Sequence, residues 1–247
     1  MAKLIVLRQS GLERKQILAL TQVVREVIDF APGRAVAKIS GKGDTVFVKR
    51  FRRSMKPWWK RLFRKPYRSP IFDELEILSR LQALHYPSPE PLMYAESRHP
   101  RFHESILVTR FLPGVPLATL SGSDLLAGAR LSLALLGRLH SYGIVHGDCN
   151  PYNFLIAEEA YVLDFERSGD FTEMGAIDDF KKIILRLRAL GLNEVSLSEI
   201  ALAYSDNVES SAFDVQAMLG ELRDEILLAK PTRWRPPQEL RFDPLDI

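Results

Sequence analysis

One short stretch carries residue types that in-line phosphoryl transfer requires. In His146-Gly147-Asp148-Cys149-Asn150-Pro151-Tyr152-Asn153, a His, an Asp and an Asn stand at positions one, three and eight, and Asp164-Phe165-Glu166 follows after an apolar run. A carboxylate at Asp148 can orient an attacking hydroxyl and accept its proton. The amide oxygen of Asn153 and the carboxylate of Asp164 are hard oxygen donors of the kind Mg²⁺ prefers. The competing reading is a hairpin whose polar residues merely form turns. The spacing favours chemistry, because two apolar strand candidates, Phe154-Leu155-Ile156 and Ala160 to Leu163, lie between the polar loop and Asp164.

Phosphoryl transfer also needs a cation on the nucleotide phosphates, fixed by a carboxylate from a neighbouring element. Lys49 lies in a β-like run, and Glu74 follows 25 residues later in a helical segment. Alternation places Lys49 on the strand face opposite Val48. Ile77 and Leu81 share the helix face of Glu74, so it can flank a buried stripe, while Glu76 points elsewhere and is the second choice. Taken alone, these charges would read as solvated surface.

His146 reads as structural, packing beside the loop that follows it. Cys149 lacks a His/Asn partner set for thiolate chemistry and reads as a bystander. In Gly175-Ala176-Ile177-Asp178-Asp179-Phe180, an aspartate could cap a helix or reach back to hold the catalytic loop. Asp179 is preferred over Asp178 for the second role.

The elements that must position these groups follow from periodicity. A helix is predicted over Leu12 to Phe30, stopped by Pro32-Gly33, then two strands, Arg34 to Ser40 and Thr45 to Phe51, joined at Gly41-Lys42-Gly43-Asp44. A helix over Ile71 to Leu84 ends at Pro87-Ser88-Pro89-Glu90-Pro91. Ile106 to Leu112 reads as a strand stopped by Pro113-Gly114. Helices are then expected over Asp124 to Tyr142, Ala176 to Leu190, a capping box at Ser196 running to Ser205, and Ala212 to Lys230. Strands with one helix precede a run of helices, which suggests a small sheet-containing lobe over 1–112 and a helical lobe over 113–247.

The 247 residues suffice for a substantial core, and 46% apolar with 26% charged residues describes an ordinary globular chain. The lone Cys149 excludes a disulfide framework and a cysteine-based zinc site, and fits a reduced, cytoplasmic setting. The apolar patch Leu4 to Leu7 is too short for a signal peptide, and no apolar run approaches the ~20 residues that span a bilayer. The net charge of +3 hides an asymmetry: Lys49 to Arg68 holds ten Lys/Arg and no acid, leaving 24 basic and 31 acidic residues elsewhere. One anionic partner met at one place is expected, and no nucleic acid. Trp58, Trp59, Phe63 and Tyr67 interleave these cations, so the segment reads either as a contact for an anionic glycolipid or inner-leaflet surface, or as a solvated loop packed by its aromatics.

With Lys49, Glu74, Asp148, Asn153 and Asp164 in order, the chain resembles the protein-kinase-like superfamily. More closely it resembles the bacterial lipopolysaccharide core kinases that phosphorylate Kdo or heptose. The motifs are Val48-Lys49-Arg50-Phe51, Leu78-Ser79-Arg80-Leu81 running into Pro87 to Pro91, Phe111-Leu112-Pro113-Gly114, His146-Gly147-Asp148 and Asp164-Phe165-Glu166-Arg167. The resemblance implies an α+β, bilobal protein-kinase-like fold, with a small antiparallel-sheet N-lobe carrying one main helix and a mostly helical C-lobe. It implies ATP and Mg²⁺ as cofactors, a lipopolysaccharide-core acceptor, a hinge at Arg110 to Leu112 whose backbone meets adenine, and a cytoplasmic location with peripheral attachment at the inner membrane. Gly147 replaces the arginine usual in protein kinases, Glu166 replaces the glycine after Asp-Phe, and no Gly-rich phosphate loop is evident. Only eleven positions separate Asp164 from Gly175, leaving no activation-loop phosphosite. These departures favour a small-molecule or glycolipid acceptor. The alternatives are a compact atypical protein kinase or ATPase of a tRNA-modification complex, and a catalytically silent binding module.

Overall fold

In a computed structural model of the chain, the described residues are 5–9, 33–40, 45–54, 68–98, 102–208, 215–222 and 224. Two compact units are present: Met1–Gln82 with Pro89–Phe111 and Pro236–Ile247, and Ala83–Ser88 with Leu112–Arg235. The helix expected over 12–30, the loop 41–44, Trp58, Trp59, Phe63, Tyr67 and most of the last helix lie outside the described residues.

The first unit is built on a five-stranded antiparallel sheet. In chain order its strands are β1 (Ile5–Gln9), β2 (Gly33–Ser40), β3 (Thr45–Ser54), β4 (Pro91–Arg98) and β5 (Phe102–Arg110), arranged β1-β4-β5-β3-β2. Helix α1 (Pro70–Ala83) lies between β3 and β4 in sequence. Along β3, Val46, Val48 and Arg50 are buried while Phe47 and Lys49 stay half-exposed, the period of two that the sequence shows. Pro70 occupies the first turn of α1, where its missing N–H costs nothing. Ile71, Glu74, Leu75, Ile77, Leu78 and Leu81 form the buried face of that helix.

Strands β1 and β4 were not among the expected elements. Every residue from Pro91 to Ser97 is buried, so β4 shows none of the alternation that marks a half-buried strand. Its polar members are satisfied internally: His103 Nε2 and Glu96 Oε1 lie 2.5 Å apart. Strand β5 begins at Phe102, four residues before the expected start, and pairs with β3 from Val46↔Arg110 to Ser54↔Phe102.

The second unit is mostly helical. After β6 (Val115–Pro116), its elements are α2 (Gly122–Ser141), β7 (Ile144–Val145), β8 (Phe154–Ile156), β9 (Ala160–Val162), β10 (Gly169–Asp170), α3 (Glu173–Ala189), α4 (Glu194–Ser205) and α5 (Val215–Glu221). Helices α2 and α4 pack closely at Gly137, where a Cβ would stand 2.6 Å from the Tyr204 carbonyl oxygen. The Leu125, Leu133, Leu136, Phe180, Ile183, Leu187, Ile200 and Tyr204 side chains fill this core.

Two helix starts differ from expectation. Helix α3 begins three residues early because Thr172 caps it, its hydroxyl accepting the Gly175 N–H at 3.1 Å. For α4 the cap is Asn193 rather than Ser196; the Asn193 side-chain oxygen accepts the Ser196 N–H at 2.9 Å. The capping box read at Ser196 is therefore internal to the helix. Among the described residues no helix is long and apolar enough to cross a membrane.

Candidate active site

In the first unit, β3 and α1 bring Lys49 and Glu74 together. Lys49 Nζ donates to Glu74 Oε1 at 2.6 Å, with the glutamate almost wholly buried. Glu76, two residues on, is exposed and pairs with Arg68, so the helix face decides between the two glutamates. The second Glu74 oxygen, Oε2, is buried without a hydrogen-bond partner among the described residues. At the end of β5, the Arg110 N–H is taken by the Glu90 carbonyl at 2.9 Å and the Phe111 N–H by the Thr45 carbonyl at 3.1 Å. The Arg110 side chain pairs with Glu90 at 2.8 Å.

In the second unit, one continuous stretch carries Asp148, Asn153 and Asp164, the candidate catalytic and metal-binding residues. Strand β7 leads into residues 146–150, a 3-10 turn over Pro151–Asn153, β8, β9, and then Leu163 to Ser168. The stretch closes on itself through the pairs Gly169↔Val145 and Asp170↔Ile144. Asn150 caps the 3-10 turn by accepting the Tyr152 N–H at 3.2 Å. Asn153 Nδ2 donates to the Asp148 carbonyl at 3.0 Å, and the Leu163 N–H donates to the Asn153 carbonyl at 2.8 Å. Asp148, Asn153 and the residue before Asp164 are thereby tied by direct hydrogen bonds. Asp164 itself has φ +64°, a left-handed conformation that aspartate tolerates better than most residues and that is concentrated at functional loops.

The fully buried His146 ring links the two loops. Its Nδ1 accepts the Asp148 backbone N–H at 3.2 Å, and its Nε2 meets the Leu163 carbonyl at 2.9 Å. Both contacts are satisfied together only by the neutral ring protonated on Nε2. Burial lowers the pKa of His146 from its ordinary value, which favours that neutral form.

Asp179, nearly two turns into α3, anchors the start of the loop. Its carboxylate accepts the His146 N–H at 2.6 Å and the Gly147 N–H at 2.9 Å, and His140 Nε2 lies 3.4 Å away. Burial pushes this carboxyl up, but the hydrogen bond with His140 and the Gly147 N–H outweigh it and hold it below the usual carboxylate range. Asp178 is exposed, so of the two aspartates Asp179 holds the loop. Gly147 has φ +78°, and a Cβ there would collide with the Arg167 carbonyl. No arginine could stand at this position in this backbone.

Three cations reach the same loop, and the sequence assigned none of them a role. Lys182 Nζ donates to the Gly147 carbonyl at 3.2 Å and Arg186 Nη1 to the Cys149 carbonyl at 3.0 Å. Arg186 and Arg167 approach Asp148 at 3.7 and 4.0 Å. Lys182 and Arg186 are four apart on α3, a helical spacing that could have flagged a shared face. Nothing local to them points to residues more than thirty positions upstream. Cys149 is buried and burial pushes its thiol well up, which removes it as a nucleophile at neutral pH.

The donor set fits a hard divalent cation. With its Nδ2 engaged by the loop, Asn153 leaves its amide oxygen for a ligand. The carboxylate oxygens of Asp164 and Glu166 approach within 4.8 Å of one another. All are oxygen donors, and among the described residues no sulfur or imidazole joins the cluster.

Comparison with known proteins gives a consistent picture. The model of the lipopolysaccharide kinase (Kdo/WaaP) family matches residues 19–182, more than half of the chain. The solved structure of WaaP in complex with acyl carrier protein covers 91% of this chain and 95% of that one, at TM-score 0.59 and 16% identity. An aminoglycoside-3'-phosphotransferase of type VIII covers 83% of this chain and 98% of its own, at TM-score 0.54 and 16% identity. Both likenesses show a protein-kinase-like fold. A probable bifunctional tRNA threonylcarbamoyladenosine biosynthesis protein of Methanosarcina acetivorans is 38% identical over 78 residues, 31% of this chain, which spans only 13% of that protein.

Proposed function

The chain belongs to the lipopolysaccharide kinase (Kdo/WaaP) family and is a kinase, and from that premise we propose that it transfers the γ-phosphate of ATP to a sugar hydroxyl of the lipopolysaccharide inner core. The observation that carries the catalytic reading is the hydrogen-bonded set around residues 146–164, in which Asp148, Asn153 and the backbone beside Asp164 are fixed to one another and to a neutral His146.

Asp148 orients the acceptor hydroxyl and takes its proton as the new O–P bond forms and the bond between the γ-phosphorus and the oxygen of the departing ADP breaks. Its carboxylate accepts no hydrogen bond among the described residues, so both oxygens are available to the hydroxyl. Asn153 and Asp164 hold Mg²⁺. When bound, that ion neutralises developing charge on the phosphates. Lys49, oriented by Glu74, supplies the positive charge for the α- and β-phosphates. Leu112 and the Arg110 backbone serve the adenine edge. Because Arg110 spends its N–H within the sheet, Leu112, whose backbone enters no hydrogen bond among the described residues, is the better donor to the base.

The basic segment 49–68 favours an anionic glycolipid acceptor and a peripheral position at an anionic membrane surface. The likeness to WaaP solved with acyl carrier protein makes an acyl carrier protein a candidate partner, to be tested by co-purification. A second reading, a compact kinase or ATPase of tRNA-modification machinery, draws on the 78-residue match. Mass spectrometry of core oligosaccharide from cells with and without the gene separates the two. Loss of a single phosphate supports the sugar kinase; an unchanged core speaks for the second reading.

A further inference from the structure

Asp148 is flanked by guanidinium groups from two different elements. Arg167 Nη1 stands 4.0 Å from Oδ2 and Arg186 Nη1 3.7 Å from Oδ1. Both distances exceed hydrogen-bond reach, so neither guanidinium occupies the lone pairs that an incoming hydroxyl would use. The two arginines are held differently. Arg186 is clamped by its bond to the Cys149 carbonyl, one helical turn beyond Lys182, which grips the Gly147 carbonyl. Arg167 has a side chain 74% exposed and donates no hydrogen bond among the described residues. Its five N–H groups form a planar fork beside the base, in ion-pair range of Asp148 alone among the described residues.

A guanidinium fork matches a carboxylate or phosphate in two-point geometry, and an unengaged fork beside an acid–base group gains most from an anion delivered with the substrate. We propose that Arg167, backed by Arg186, binds a carboxylate or phosphate on the acceptor adjacent to the attacked hydroxyl, and thereby positions that hydroxyl on Asp148. The proposal rests on the sugar-kinase reading above and narrows it: the acceptor is a sugar acid or a phosphosugar, and its negative charge is recognised at the catalytic loop itself. Arg167 is a positioning and specificity residue in this scheme, and Asp148 remains the base.

The test uses the full chain with two probe acceptors, the methyl glycoside of Kdo as its C1 acid and the same glycoside reduced to the C1 carbinol. Loss of a charge-assisted, two-point contact corresponds to roughly 10- to 150-fold in kcat/KM. Wild type is expected to prefer the acid by that order. Arg167→Gln is expected to bring the preference to near unity through a higher acceptor KM, with the KM for ATP unchanged, and Arg167→Lys to restore part of it. An undiminished preference for the acid in Arg167→Gln overturns the proposal, as does a rise confined to the KM for ATP, which would assign the arginine to the nucleotide's phosphates. Transfer by wild type to neither glycoside defeats the sugar-acid acceptor whatever the variant does, while the sugar-kinase reading stands or falls separately on the core-oligosaccharide mass spectrometry. Because Arg167 is exposed, a folding defect does not confuse these outcomes.

Discussion

The Asp179 carboxylate accepts the backbone N–H groups of His146 and Gly147, at 2.6 and 2.9 Å, across 33 and 32 positions of sequence. Two consecutive main-chain donors converge on one buried side chain, so the loop carrying Asp148 starts from a fixed point on α3. Asp179→Asn keeps the shape but turns an NH₂ group toward at least one of those donors. We expect a stability loss of about 1–3 kcal/mol from the unsatisfied buried groups, and a fall in kcat larger than the change in KM for ATP. Denaturant unfolding and steady-state kinetics measure both, and an unchanged kcat would remove Asp179 from the positioning of the loop.

Asp148→Asn separates chemistry from folding. The Asp148 carboxylate makes no hydrogen bond among the described residues and is about one third exposed. Unfolding should therefore shift by no more than ~0.5 kcal/mol, while turnover drops by about 10²- to 10⁴-fold. Undiminished turnover in a folded variant would sink the base assignment.

Breaking the Lys49–Glu74 pair should act on nucleotide handling. Glu74→Gln retains the helix packing but removes the negative charge that faces Lys49. The expected result is a raised KM for ATP and a weaker thermal shift with Mg·ATP, at a stability cost of about 1–2 kcal/mol. Equal ATP affinity in wild type and variant, read by calorimetry, would contradict the proposed role of the pair.

The neutral His146 bridge predicts an acid limb in stability. Its folded-state pKa lies below the ordinary value, so the unfolded chain binds the proton more readily. The bridge's contribution is complete above about pH 6.5 and declines as pH falls from there toward the folded pKa. Asp179, also lowered, adds a decline in the same direction in a more acidic window, as pH falls below the ordinary carboxylate pKa toward its folded value. His146→Gln should flatten the stability profile between about pH 7 and 5; a slope identical to wild type would place the titration elsewhere.

Gly147→Ala tests the close approach of the two loops. The φ of +78° and the collision with the Arg167 carbonyl together predict a loss of about 1–3 kcal/mol, with activity falling in parallel. A fully stable, fully active alanine variant would show that the loop has another conformation open to it.

What the sequence determined by itself was the kinase class, the spacing of the candidate residues and the local elements. The spacing of Asp148, Asn153 and Asp164, the alternation of β3 and the apolar stripe of α1 are all short-range patterns, and each maps onto an element found in the structure. Strand β4 escaped because burial on both faces erases alternation, and the cap of α4 was misplaced because Asn193 and Ser196 are both plausible cap residues until one hydrogen bond selects between them. Tertiary structure alone decided the long-range partners. It chose Glu74 over Glu76 for Lys49 and Asp179 over Asp178 for the loop. It brought Lys182 and Arg186 onto carbonyls 35 and 37 positions upstream. It also turned Gly147 from a departure into a steric necessity, because the contact that excludes a side chain there comes from Arg167. Such partners depend on which faces of distant elements are packed together, and no periodicity within either segment encodes that choice.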